Sequence, residues 1–271
     1  MRYVHASIFP ALIACALLGL LASGCEGLTP GQLDAVAPIS DRPRQGNVYL
    51  VRGWIGIFST GMDTLGQEAN DAGVHAEVYQ GYQWPALAHQ ITEKYRDAGA
   101  NREPLVLVGH SYGADDVLRV ARELNDANIP VDLLVTFDPV TPPDVPANVR
   151  KTVNFYRPNG VFDLLPFLRG IPLELADDAH GTLENVNIRT DPRHLMEPFT
   201  DHFNIEKRAP IQKAVLEEIF AVCRERGEPS LPAMTYGTSG IDTSEARTAS
   251  LVVSPTIYSA TRPAPTPGAA H

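Results

Sequence analysis

The chain has 271 residues, 44% of them apolar, and a formal net charge of −10 at pH 7. That length holds one sizeable α/β domain or at most two small ones, and the apolar share is that of a water-soluble globular protein. The acidic balance and the lack of any Lys/Arg run exclude nucleic acid as the expected partner, since phosphate binding needs clustered basic side chains.

The N-terminus reads as an address. Arg2 and His5 precede an apolar stretch from Ala6 to Ala22, short for a membrane span and suited to a secretory signal. It ends in Leu21-Ala22-Ser23-Gly24-Cys25, which resembles the lipobox of bacterial lipoproteins. The resemblance implies a signal peptide over 1–24, a lipid on Cys25, and membrane attachment through that anchor. It also implies a periplasm-facing place in the cell envelope, with Glu26 after the cysteine favouring the outer membrane. Residues 25–45, rich in Gly, Pro and Asp, read as a tether. Of the remaining cysteines, Cys15 falls in the signal. Cys223 falls in a predicted helix, where a small buried apolar role is expected and no disulfide can form. No His or Cys spacing suggests a metal, and no cofactor is expected.

Between 46 and 227 strand and helix patterns alternate. Asn47 to Arg52 is a short buried strand, Met62 to Ala72 a helix stopped by Gly73, and Val74 to Gln80 the next strand. Pro85 opens a helix whose stripe is Leu87, Ala88, Ile91 and Tyr95, because a missing N–H costs nothing in a first turn. Leu105 to Val108 is a strand. From Ala114, apolar residues recur at helical spacing through Leu124. Asp115 and Asp116 lie in that helix's first turn, where the helix dipole alone accounts for both acids. Val131 to Phe137, Lys151 to Tyr156 and Leu183 to Arg189 are further strands, and Pro210 opens a last helix through Val222. Apolar strands alternating with amphipathic helices predict an α/β fold, a mostly parallel sheet covered on both faces. Residues 228–271, rich in Pro, Ser, Thr and Ala, read as a disordered tail, in which Leu251-Val252-Val253 could dock as an edge strand.

Gly109-His110-Ser111-Tyr112-Gly113 joins a predicted strand to a predicted helix. Strand, G-x-S-x-G and helix together make a nucleophile elbow. A serine standing out at the top of a sheet needs a sharp turn, and the close approach of helix and strand requires glycine on either side. Ser111 is therefore the candidate nucleophile. It needs a base to take its proton and an acid to orient that base, each from a later strand end, in the chain order Ser, acid, His. Asp138 ends the strand after the elbow. Asp163, beyond the following strand, is the alternative acid. His202 lies after the last strand and nearest the last helix, with His194 the alternative base and His180 disfavoured because it precedes that strand. The oxyanion hole needs two backbone N–H groups. The residue after the nucleophile, Tyr112, supplies one, and the loop Arg52-Gly53-Trp54-Ile55-Gly56 the other, with Trp54 the favoured donor and Ile55 the alternative.

Residues 47 to about 226 resemble the α/β-hydrolase superfamily. The acid on the first strand after the elbow resembles its thioesterase-like branch. Val51-Arg52-Gly53, Ser59-Thr60-Gly61-Met62-Asp63, the elbow, Phe137-Asp138-Pro139-Val140 and His202-Phe203-Asn204-Ile205 are similar to bacterial exported thioesterase-like and lipase-like hydrolases. The resemblance implies an α/β-hydrolase fold and hydrolytic activity. The prolines in and around Val140–Arg150 disfavour a large helical lid there. The expected reaction is cleavage of a small-molecule or lipid carboxylic ester through an acyl-enzyme. A thioesterase or acyltransferase on the same triad, and a non-catalytic envelope lipoprotein using the fold as a binding scaffold, stand as alternatives. The large apolar residues of Val161 to Leu175 suggest either an acyl-binding wall or ordinary packing over the core.

Overall fold

The computed structural model describes residues 42–53, 59–99, 102–160 and 170–227. The predicted signal and Cys25, Trp54, Asp163 and the tail from 228 lie outside them. Along the described chain come β1 (Asn47–Arg52), α1 (Gly61–Asp71), β2 (His75–Gln80), α2 (Trp84–Tyr95) and β3 (Leu105–His110). They are followed by α3 (Tyr112–Asp126), β4 (Leu133–Phe137), β5 (Lys151–Tyr156), β6 (Thr182–Asn187) and α4 (Ala209–Val222).

The strands form one sheet in the order β2-β1-β3-β4-β5-β6, and every pairing is parallel. Successive strand residues point to opposite faces, and here both faces are covered. Val48, Leu50, Val106, Val108, Leu133, Val135 and Phe137 pack with Met62 and Leu65 of α1 and Ile211, Val215 and Ile219 of α4. Tyr49, Val51, Leu105, Leu107 and Leu134 pack on the other face with Leu87 and Ile91 of α2 and Val117, Leu118 and Leu124 of α3. The central strands therefore read as unbroken apolar runs, and truncating one such leucine to alanine costs about 2–5 kcal/mol.

Several boundaries differ from the sequence reading. The helix after Ser111 starts at Tyr112, not Ala114. The strand proper starts at Leu133; ahead of it Val131 makes an isolated parallel bridge with Val149, and the Asp132 N–H donates to the Leu105 carbonyl at 2.9 Å. The Asp132 carboxylate takes the Arg102 guanidinium at 2.6 and 2.9 Å and the Leu105 N–H at 2.9 Å. The last strand ends at Asn187, whose side chain accepts the Arg189 N–H at 3.1 Å and turns the chain. The helix dipole is not a sufficient account of Asp115. This residue is fully buried and accepts the N–H groups of Val140 (3.0 Å) and Thr141 (2.9 Å) and the Thr141 hydroxyl (3.0 Å). It ties the first turn of α3 to the loop after β4. Burial pushes its carboxyl up, and the Thr141 and Val140 N–H groups hold it back. Asp116 is also buried and is pushed up to about 6 by desolvation against its Arg119 partner.

Among the described residues no α-helix lies between α3 and α4. Leu173 is buried in the core, and Leu175 packs against it. For these two residues of the apolar segment the role is packing; residues 161–169 lie outside the described set. Cys223 is a free, buried thiol, fully enclosed in the core beside α4, and burial pushes it up.

Candidate active site

The chain leaves β1 towards β2 on one side and then returns to β3 on the other, so the order reverses between two adjacent strands. Such switch points open a crevice beyond the carboxyl ends of the strands. Gly53 follows β1, Ser111 follows β3 and Asp138 follows β4, so all three stand at that edge.

Ser111 has φ 58° and ψ −127°, a conformation that non-glycine residues avoid and that marks a held, strained position. Its N–H donates to the Phe137 carbonyl at 2.9 Å. The flanking glycines have no alternative. A Cβ on Gly109 would stand 2.3 Å from the Gly113 carbonyl oxygen, and one on Gly113 would stand 2.4 Å from that of Val51.

His202 lies in the turn between β6 and α4. Cross-bonds hold this turn: the Asp201 N–H donates to Asn204 Oδ1 (2.9 Å), and Asn204 Nδ2 and Arg208 Nη2 donate to the Phe199 carbonyl (3.0 and 2.7 Å). His202 Nε2 lies 2.8 Å from Ser111 Oγ. On its other side Nδ1 is 3.5 Å from Asp138 Oδ2. That separation is long for a hydrogen bond. Both atoms are nonetheless buried with no other hydrogen-bond partner among the described residues, and such contacts tighten when a ligand closes a site. With Nδ1–H directed at Asp138, Nε2 presents its lone pair to the Ser111 hydroxyl. Asp138 itself is fully buried at φ 44°, and its Oδ1 accepts the Arg157 N–H at 2.6 Å. Burial pushes its carboxyl up, and the neighbouring His202 and the Arg157 N–H oppose that.

The structure thus brings Ser111, His202 and Asp138 together and leaves His194 apart. His194 is exposed in a turn at φ 54°, its N–H donating to the Asp191 carbonyl at 3.2 Å. Tyr112 is the first residue of α3, directly behind the nucleophile. Arg52, the last residue of β1, pairs with Asp63 of α1.

Three further groups at this edge were not picked out from the sequence. His110, at the end of β3, is buried, and so are Ser59 and Glu206. Among the described residues neither Glu206 carboxyl oxygen has a hydrogen-bond partner, with His110 Nε2 3.7 Å and Lys207 Nζ 3.8 Å away. Burial pushes this carboxyl up to about 8. The signal for His110 was available: an imidazole between Val108 and Ser111 in a strand buried on both faces must find partners.

A parallel sheet with an elbow serine at its switch point, an acid after the next strand and a histidine before the last helix has one description. The fold is the α/β-hydrolase fold. No family model matches the sequence, and no curated protein matches it. Among solved structures the chain is similar to the esterase domain of a Rhodothermus marinus protein, at 13% identity over 69% of this chain and 91% of that one, with a TM-score of 0.41. It is similar to a cutinase-like protein from Cryptococcus sp., at 14% identity over 67% and 96%, with a TM-score of 0.40. Human thioesterase 2 is similar at 12% identity over 65% and 94%, with a TM-score of 0.40.

Proposed function

We propose that the chain is a serine hydrolase that cleaves a carboxylic ester through an acyl-enzyme. The observation that carries this reading is the 2.8 Å approach of His202 Nε2 to the hydroxyl of a serine held at φ 58°, ψ −127°. Ser111 Oγ attacks the ester carbonyl carbon while its proton passes to His202 Nε2. Asp138 keeps Nδ1 protonated and faces the imidazolium that forms. The negative oxygen of the tetrahedral intermediate is met by the Tyr112 N–H at the start of α3, and by a donor in the loop after β1, for which the sequence favours Trp54. The carbon–alkoxide bond breaks, and the alkoxide takes the proton from Nε2. Water then attacks the acyl-enzyme, giving its proton to His202, and the carboxylic acid leaves as the proton returns to Ser111 Oγ. Attachment to the cell envelope through a lipid on Cys25 belongs to this proposal and rests on the sequence alone.

Labelling the purified protein with a fluorophosphonate and mapping the adduct by mass spectrometry tests the reading. An adduct on Ser111 that disappears in His202→Ala is expected. A folded protein that takes no label at Ser111 refutes it and leaves a binding scaffold on a hydrolase fold.

A further inference from the structure

We propose that His110 is a positioning residue for this reaction: one buried imidazole holds both the main chain of the general base and the neck of the loop after β1 against the nucleophile. The inference rests on the hydrolase reading and adds to it a residue that never touches substrate.

His110 Nε2 is 2.8 Å from the carbonyl oxygen of His202, and Nδ1 is 2.8 Å from Ser59 Oγ. Ser59 Oγ in turn accepts the Gly53 N–H at 3.0 Å. The proton positions follow from the partners. A carbonyl only accepts, so Nε2 carries the proton and donates to His202. Nδ1 then has a lone pair and accepts the Ser59 hydroxyl. Ser59 keeps a lone pair for the Gly53 N–H. One neutral tautomer therefore satisfies every group in the chain from Gly53 to His202. Burial, reinforced by neighbouring His202, pushes His110 down to about 3, so that neutral form persists across the physiological range.

Both ends of this chain adjoin the reacting atoms. At one end, the carbonyl that His110 holds belongs to the residue whose Nε2 lies 2.8 Å from Ser111 Oγ. At the other, Gly53 is pressed against the nucleophile: a Cβ there would lie 3.2 Å from Ser111 Cβ and 3.1 Å from Ser59 Oγ. Gly53 and Ser59 are six residues apart and close the neck of the loop. His110 itself is one residue before Ser111, on the rigid end of β3. A change in its length or bonding is thus transmitted to base and nucleophile together. An apolar residue of similar volume would fill the space and leave the Ser59 hydroxyl and the His202 carbonyl without their partner, at the cost of buried unsatisfied groups.

The test compares His110→Gln, His110→Asn and Ser59→Ala in the full-length protein, using hydrolysis of a p-nitrophenyl ester. The glutamine amide places an N–H near the position of Nε2 and keeps the bond to the His202 carbonyl. The asparagine amide reaches only the position of Nδ1 and keeps Ser59 alone. His110→Asn is expected to lower kcat by ~10–10²-fold, the scale of a misplaced catalytic group, with KM changed less than about twofold. Ser59→Ala lowers kcat in the same sense by a smaller factor, and His110→Gln restores it to within about fivefold of wild type. Thermal midpoints measured alongside separate positioning from stability. If His110→Asn and Ser59→Ala, both folded, keep wild-type kcat, the positioning role is wrong and the hydrolase reading stands. If glutamine loses as much as asparagine, or the losses follow the thermal midpoints, the role is structural and the proposal fails. If the wild-type protein neither hydrolyses the ester nor labels at Ser111, both readings fall together.

Discussion

Gly170 leaves Asp138 no room to move. A Cβ at position 170 would lie 3.0 Å from the Arg157 nitrogen and only 1.9 Å from Asp138 Oδ1, the latter a separation that real Cβ atoms do not show, so Gly170→Ala must displace one side by about 1 Å to reach a tolerable separation. The segment bearing Gly170 is poorly placed to give way. The Ile171 carbonyl accepts Asn154 Nδ2 at 3.0 Å, and Leu173 exchanges two hydrogen bonds with the Asn185 amide at 2.8 and 2.9 Å. Asp138 is the weaker side. Its carboxylate is held by one backbone N–H, that of Arg157 (2.6 Å), and by a 3.5 Å approach to His202 Nδ1. Rotating its carboxylate away removes the group that fixes the histidine tautomer. An error of ~1 Å costs about 10²-fold and full loss of the acid about 10⁴-fold, so kcat for ester hydrolysis is expected to fall between those limits. The effect has to run through Asp138, which a double-mutant cycle reads directly. Adding Gly170→Ala to Asp138→Asn should cost less than about threefold more. Full activity in Gly170→Ala, or losses that multiply in the double variant, would refute the assignment of Gly170 as the support of this acid.

The buried Glu206 carboxyl gives a pH test. Its value of about 8 in the folded state lies above its ordinary 4.5, so the unfolded chain gives up this proton first. The resulting stability is full below pH 4.5 and is lost progressively up to pH 8, at no more than ~1.4 kcal/mol per pH unit. Glu206→Gln should therefore melt increasingly above wild type between pH 5.5 and 7.5, the gap widening by roughly 5–10 °C, and a gap that stays flat over this range contradicts the burial argument. Asp115→Ala leaves the buried Val140 N–H without its acceptor and removes two bonds to exposed Thr141, and should cost about 2 kcal/mol, seen as a lower denaturant midpoint at unchanged m-value; an unchanged midpoint would show that water replaces the carboxylate. Between the two histidines of the β6–α4 connection, fluorophosphonate labelling of Ser111 should survive His194→Ala and vanish in His202→Ala, and the reverse result would mean that the turn closes differently in solution.

What the sequence could reveal divides along a physical line. The elbow was legible because three local signals coincide at residues 105–124: an apolar run, two glycines at fixed spacing, and a helical stripe. Asp138 and His202 could be placed because strand ends in a parallel sheet share one edge, so topology alone brings residues 27 and 91 positions from Ser111 to the same crevice. The supports of that crevice carry no such signal. Gly170 looks like any loop glycine until the Asp138 carboxylate is found beside it. Asp115 has an adequate local explanation in the helix dipole, and its true partners, Val140 and Thr141, lie 25 and 26 residues away in a loop with no periodicity. His110 is intermediate: its burial follows from its strand, but its two partners come from separate loops whose course periodicity does not fix. Reacting residues are tied to element ends, whereas the residues that hold them are chosen by which loops happen to meet. Substitutions at Ser59, His110, Asp115 and Gly170 should therefore disturb this site in ways that a motif spanning only Ser111, Asp138 and His202 does not anticipate.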